Sequence, residues 1–390
     1  MFKNLSERLV TLFGDDVTVF TTNGPGDVND RQAQNVSANE ETVNGVKVRR
    51  FPCHQCLGPV LELAFRTSRK ARLPFRDYVE LLYRGPIAPE MLRATINCDA
   101  DVIAATPFYY MHMFYPCLAR RLGKQVPLVY YGALHITDGN IHRPTLRAIK
   151  NAEAYVAYTT YERDALISKS IPESKIHLVG LGVDLERFEC VDGRTVRSRF
   201  GIDNDDPVVA FVGRQANGKG IDTLLCAMQM VWREIPQAYL LIAGDRASFS
   251  SQLSQLVNGL TSRERDRVII VDGFGEDEKP SFFAACDVFV TVSRVESFGI
   301  VYLEAWASGK PVIGSRIGAV QSVIRDGQDG LLVSYGDVKQ LAQAILTLLN
   351  DEKLRATLAR NGQARVRNEH SWEIVTRKVR TIYAQVQKTM

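Results

Sequence analysis

Short apolar runs alternate with amphipathic helical stretches along almost all of the chain, the pattern of a parallel sheet wrapped by helices. In the first half the clearest predicted strands are DVTVFTT (16–22), VKVRRF (46–51), DVIAAT (101–106), PLVYYG (127–132) and AYVAYT (154–159). Pro74, Pro86 and Pro89 break up the segment between the second and third of these. The second half is more regular. VVAFVG (208–213) leads through a Gly-rich turn into a helix near 221–234, and AYLLIAGD (238–245) into a helix over 248–260. RVIIVDG (267–273) precedes a helix near 279–286, and DVFVTVS (287–293) a helix beginning near Phe298. PVIGS (311–315) and helices over 337–350 and 351–368 follow. Such repeated strand–helix alternation predicts a doubly wound α/β sheet. Between the halves, IHLVGLGVDLERF (176–188) reads as a short strand and a Gly-rich connection, which places the domain boundary between 1–180 and 181–371. A last helix over about 372–390 carries Trp372, Val375, Val379, Ile382 and Val386 on one face.

The start of the chain departs from this scheme. In MFKNLSERLVTLFGDDVTVFTT, Leu5, Leu9, Leu12 and Phe13 recur at helical spacing, so the first regular element is expected to be a helix within residues 2–13. A doubly wound domain ordinarily opens on a strand and a Gly-rich loop, and GPGDV (24–28) comes too late to supply them. The N-terminal sheet is therefore expected to lack its opening strand: either the chain is a shortened form or neighbouring elements close the gap.

Composition adds little until its distribution is considered. The 390 residues are 45% hydrophobic and 24% charged, as in ordinary globular proteins. No run is long and apolar enough for a membrane span, and the first twenty residues lack a signal-peptide core, so a cytoplasmic protein is expected. Seven scattered cysteines fit a reducing compartment. The C-x-x-C of Cys53 and Cys56 has no second pair with which to close a zinc site. The net charge of +4 arises wholly in the first half, because residues 1–180 hold 22 Lys+Arg against 18 Asp+Glu. Residues 65–84 concentrate it: Arg66, Arg69, Lys70, Arg72, Arg76 and Arg84 are interleaved with Phe65, Phe75, Tyr78 and Tyr83. Nucleic acid calls for a more extended stripe. The segment is either a solvated helix face or a surface for anionic membranes.

Ligands of open parallel sheets bind at the carboxyl ends of the strands. After VVAFV come Gly213 and Arg214, then Lys219. After DVFVTVS come Glu296, the expected helix start at Phe298, Gly299 and Ile300, and Glu304 about a turn inside that helix. Two cations beside a helix N-terminus suit a diphosphate. The two carboxylates, on the order of 10 Å apart along loop and helix, suit separate hydroxyls of a nucleotide sugar better than the two sides of one scissile bond.

The stretches VGRQANGKGIDTLLCAM and ESFGIVYLEAWASGKPVIGSRIGAVQSVIRDGQDGLLV closely resemble the retaining GT-B glycosyltransferases of the group 1, family four type, which include sucrose synthases and bacterial mannosyltransferases. The resemblance is specific over about 176–390 and weaker before. It implies two Rossmann-like domains facing each other across a cleft, with the C-terminal helix crossing back onto the first. It also implies that Arg214 and Lys219 hold the donor diphosphate without a metal or other cofactor, that Glu296 orients the sugar, and that Glu304 holds the ribose. The base is expected near Gly273 and Phe274. His135, in PLVYYGALHITDG, matches the family histidine that faces the donor sugar, although two extra residues separate it from the proline. The other histidines (His54, His112, His142, His177 and His370) read as structural. The acceptor implied is a sugar or a lipid-linked sugar.

Two other motifs compete. GRQANGK (213–219) matches the start of a P-loop, and VIIVD (268–272) a Walker B strand, but Gly220 stands where the magnesium-binding Ser/Thr belongs. Asp99-Ala100-Asp101 forms a D-x-D, yet it precedes a strand instead of following one. From a different class, a nucleotide-sugar-binding protein with impaired catalysis would use the same residues.

Overall fold

Leu5 and Leu9 are buried one helical turn apart, and the first regular element is the helix Phe2–Phe13 that their spacing predicts. Leu12, counted on the same face, is instead 44% exposed. The structure, a computed structural model, describes residues 2–24, 40–53, 58–71, 73–106, 108–134, 136 and 141–388. The chain divides into two units, residues 1–180 with 375–390, and residues 181–374.

In the first unit, strands β1 (Thr18–Thr22), β2 (Glu40–Val43) and β3 (Val46–Phe51) form a sheet of order β1-β3-β2. β1 and β3 run parallel, whereas β2 and β3 form a hairpin. Its turn is Asn44-Gly45, both with positive φ (50° and 82°), as a tight hairpin requires. β4 (Ile103–Ala105), β5 (Leu128–Tyr131), β6 (Ala154–Ala157) and β7 (Ile176–Leu178) form a second, wholly parallel sheet in that order. Among the described residues these two sheets are separate. Between them in sequence lie the helices Gly58–Lys70, Arg76–Arg84 and Pro89–Asn97, of which the sequence offered only a helix face within residues 65–84.

β5 and β6 are buried at every position, which is why they read as continuous apolar runs without alternation. The end of the C-terminal helix Trp372–Gln387 belongs to this unit. There the Tyr383 and Tyr131 hydroxyls are 2.5 Å apart, and Arg380 pairs with Asp15 at 3.1 Å while lying 4.6 Å from the centre of the Phe13 ring.

The second unit holds β8 (Val208–Val212), β9 (Tyr239–Gly244), β10 (Val268–Asp272), β11 (Val288–Thr291), β12 (Val312–Ser315) and β13 (Leu331–Val333). All are parallel, in the order β10-β9-β8-β11-β12-β13. The chain steps outward from β8 through β9 to β10, then returns to the other side of β8 as β11. A crevice opens at such a reversal, outside the carboxyl ends of the two strands. The helices Ile221–Glu234 and Val338–Asn350 bury Leu224, Met228, Leu341 and Ile345 against Val209, Phe211 and Ile313, so the reversal rests on a rigid core.

Candidate functional site

Lys219 and Glu296 meet where the chain reverses. Lys219 Nζ lies 2.5 Å from Glu296 Oε1, with the two side chains 28% and 11% exposed. Their approach is dictated by backbone. Arg294 N donates to Gly218 O at 2.7 Å, and a Cβ on Gly220 (φ 75°) would sit 2.3 Å from Val292 O. Any side chain at 220 would push the exits of β8 and β11 apart. Ser293 Oγ donates to the same Glu296 Oε1 at 2.9 Å, and Ser315 Oγ donates to Ser293 O at 2.6 Å. The carboxylate is thus set from two sides. Arg214 follows β8, is exposed, and pairs with no described side chain.

The helix expected near Phe298 runs over Ile300–Ala307, with Gly299 as its N-cap at φ 86°. A Cβ there would fall 2.5 Å from Tyr302 Cε2, and Tyr302 is itself anchored by donating to Thr291 O at 2.8 Å. Glycine is therefore required for the backbone to turn into this helix. The Phe298 side chain is buried, with its ring 5.8 Å from that of His370, so only its backbone is available to a ligand. The N-terminal N–H groups at Ile300 and beyond leave the helix start electropositive beside Lys219.

Glu304 is only 8% exposed. Its Oε1 accepts from Lys279 Nζ at 2.6 Å, while Oε2 is buried with no partner among the described residues. Burial pushes its carboxyl above the usual range, opposed by the charge and hydrogen bond of Lys279. Lys279 opens the helix Lys279–Ala285. The sequence reading missed it, because no motif marks a lysine whose importance comes from a residue 25 positions later.

Gly273 and Phe274 follow β10, and the Phe274 ring lies 4.7 Å from that of Phe282. Asp272, at the end of β10, accepts from Gln215 Nε2 at 2.6 Å and from Arg246 Nη1 at 3.3 Å. The Gln215 amide also donates to Gly244 O at 3.2 Å. One buried side chain thus ties together the exits of β8, β9 and β10. No motif in the sequence marks Gln215, and Asp272 is occupied by these partners within the fold.

His135 and His54 lie outside the described residues, as does Cys56. Burial lowers His112 to about 4, and the His142 ring lies 4.4 Å from that of Tyr109. Asp99 and Asp101 precede β4, at the end of that strand opposite to the carboxyl ends where sheet ligands bind.

Two family models between them take in most of the chain. That described as Glycosyltransferase Family 4 matches residues 1–187, and that for Glycosyl transferases group 1 matches residues 192–365. The chain belongs to the group 1 glycosyltransferases. It is similar to D-inositol 3-phosphate glycosyltransferase 1 of Catenulispora acidiphila, 31% identical over 245 residues that make up 60% of this chain and 58% of that protein. It is also similar to a GDP-mannose-dependent monoacylated alpha-(1-6)-phosphatidylinositol monomannoside mannosyltransferase of Corynebacterium glutamicum, 30% identical over 273 residues, 67% of this chain and 63% of the relative. The chain thus spans about three fifths of the length of these two relatives.

Among solved structures, sucrose-phosphate synthase from Thermosynechococcus elongatus superposes with a TM-score of 0.73 at 22% identity, covering 100% of this chain and 93% of that one. Anabaena HepE in complex with UDP-glucose gives 0.66 at 22% identity, covering 87% of each. The fold is GT-B, with two Rossmann-like units.

Proposed function

We propose that the chain is a retaining hexosyltransferase, moving a sugar from a nucleotide-sugar donor to an acceptor hydroxyl without a metal. The observation that carries this reading is the joining of Lys219 and Glu296 beside the N-terminus of the helix Ile300–Ala307, at the β8/β11 reversal. A donor diphosphate on that helix start would be neutralised by Arg214 and Lys219, which stabilises negative charge as it leaves. Glu296 would release Lys219 to the phosphate and accept from sugar hydroxyls. The unpartnered Glu304 Oε2 is suited to a ribose hydroxyl, with the base near Gly273 and Phe274.

In the step itself the bond from the anomeric carbon to the diphosphate oxygen breaks. A bond to the acceptor oxygen forms on the same face, and the acceptor proton passes to the departing phosphate. His135 would face the donor sugar. The relatives use acceptors that include a phosphatidylinositol mannoside and an inositol phosphate by their names, and a sugar or lipid-linked acceptor is the reading adopted here. A panel of UDP-, GDP- and ADP-sugars, read by thermal shift and then by the anomeric configuration of the product, tests it. Inversion, or binding without either transfer or donor hydrolysis, would leave a different mechanism or the impaired binding protein.

A lipid-linked acceptor also accounts for the helices Gly58–Lys70 and Arg76–Arg84. Phe65 stacks on Tyr83 at 5.0 Å, and the basic residues Arg66, Arg69 and Lys70 line the same hollow. Val60 and Leu63 on the first helix, Phe75 just before the second and Leu82 within it are exposed. No described helix is long and apolar enough to cross a membrane, so this surface would hold the enzyme at the inner, cytoplasmic face by contact alone. Sedimentation with anionic vesicles, weakening with salt, is the expected result. A protein left in the supernatant at low salt would make the segment an ordinary helix face.

A further inference from the structure

Among the described residues, the most heavily bonded carboxylate of the first unit lies outside the motifs considered above. Glu162 stands in the first turn of the helix Thr160–Ser168 and is 2% exposed. Thr159-x-x-Glu162 has the spacing of a capping box, and Thr159 Oγ1 does accept from Glu162 N at 3.1 Å. The carboxylate, however, reaches across to the exit of β5. It accepts from Leu134 N at 2.9 Å and from the backbone of Ala133, besides Tyr158 N at 2.8 Å and the Tyr155 hydroxyl at 2.9 Å. Gly132 approaches so closely that a Cβ there would lie within 2.4 Å of Glu162 Oε2.

The turn it grips is strained. Ala133 has φ 83°, in the left-handed region that is strained for an L-residue and persists only where the surroundings over-determine it. Tyr109, after β4, is likewise left-handed at φ 69°, and burial, with a smaller effect of the Glu162 charge, pushes its phenol up. Exits of β5 and β6 therefore converge on one buried charge. Burial pushes the carboxyl up to about 6, against four hydrogen bonds that favour the ionised form. A buried charge and a left-handed alanine held together at the carboxyl ends of parallel strands are costs that packing alone does not require.

We propose that Glu162 is a positioning residue for transfer: its carboxylate fixes Gly132–Leu134, the turn that immediately precedes in sequence the residue read above as facing the sugar, His135. This rests on the reading of His135 adopted above, and the test separates the two. Glu162→Gln keeps the size but turns an amide N–H₂ toward backbone donors. It should fold, lose at least about tenfold in kcat, and leave the donor KM within about threefold. Glu162→Asp, which retains the charge, should recover part of the loss. In a His135→Ala background, Glu162→Gln should cost nothing further, since both act through one group.

If His135→Ala is impaired and the two losses multiply, Glu162 acts independently of His135 and the proposal fails while the reading of His135 stands. A folded Glu162→Gln with wild-type kcat also overturns it. If His135→Ala has wild-type activity, the reading of His135 falls and the proposal with it. Should Glu162→Gln not fold, Glu162→Asp carries the same comparison in both backgrounds.

Discussion

Lys219 and Glu296 are 77 positions apart in the chain and 2.5 Å apart in the fold, each delivered by the exit of a neighbouring parallel strand. Paired, the two charges neutralise each other. On the proposed reading, a bound donor would replace that pairing with two better-matched ones, ammonium to phosphate and carboxylate to hydroxyl. The site thereby avoids holding an unpaired charge in a partly buried place.

Glu296→Gln and Lys219→Ala are each expected to lower transfer by at least about a hundredfold, roughly 3 kcal/mol of barrier, with the fold intact. Neither residue lies in a core. Steady-state kinetics with a confirmed donor, alongside circular dichroism, checks this. Near-wild-type turnover by either variant would remove it from the site.

Glu304→Ala and Lys279→Met are expected to act on donor binding, seen as a raised donor KM with a smaller change in kcat. Lys279→Met also strands the buried Glu304 carboxylate, whose protonation then becomes easier because its opposing cation is gone. An unchanged KM with collapsed turnover would exchange the roles given to Glu296 and Glu304.

Activity is expected to persist in excess EDTA, because on the proposed reading the diphosphate is met by Arg214, Lys219 and a helix N-terminus instead of a metal. Loss on chelation, restored by manganese or magnesium, would bring Asp99 and Asp101 back as candidates.

Gly299→Ala is expected to weaken donor binding and lower Tm together, since its Cβ would meet Tyr302 at 2.5 Å at a φ of 86°. The strain is of order 1–3 kcal/mol. A variant with unchanged Tm and unchanged donor affinity would show that the helix start tolerates the side chain and is not the phosphate cradle.

Stability should depend on pH through Glu162. Burial pushes its folded carboxyl up to about 6, from the usual value of about 4.5, so the protonated form is favoured by folding. That contribution is fully present below about pH 4.5 and is lost as pH rises through 6, a change of roughly 2 kcal/mol. Relative to Glu162→Gln, the wild-type protein should therefore lose stability between these pH values. Parallel denaturation curves for the two proteins across that window would refute the shift.

Local chemistry is what the sequence determined. Five of the six strands of the second unit and most of its long helices follow from continuous apolar runs of two-sided burial and from 3.6-residue periodicity. The three-residue strand Leu331–Val333 and the short helix Gly318–Val323 are too brief to show either pattern. Gly299 and Gly220 mark turns that admit no Cβ. The helix Phe2–Phe13 was legible for the same reason. The β2–β3 hairpin was equally legible in principle, since Asn44-Gly45 is the strongest short-range hairpin signal, but its strand EETV is too polar to stand out.

Strand order belonged to the tertiary structure alone. The same six strands in another order would carry Lys219 away from Glu296, because pairing partners are chosen by packing across the whole sheet and not by neighbours in the chain. Lys279 beside Glu304, Gln215 across three strand exits and Glu162 beneath the β5 turn are all of this kind. Each is a common polar residue whose role comes from what long-range packing sets within hydrogen-bond distance.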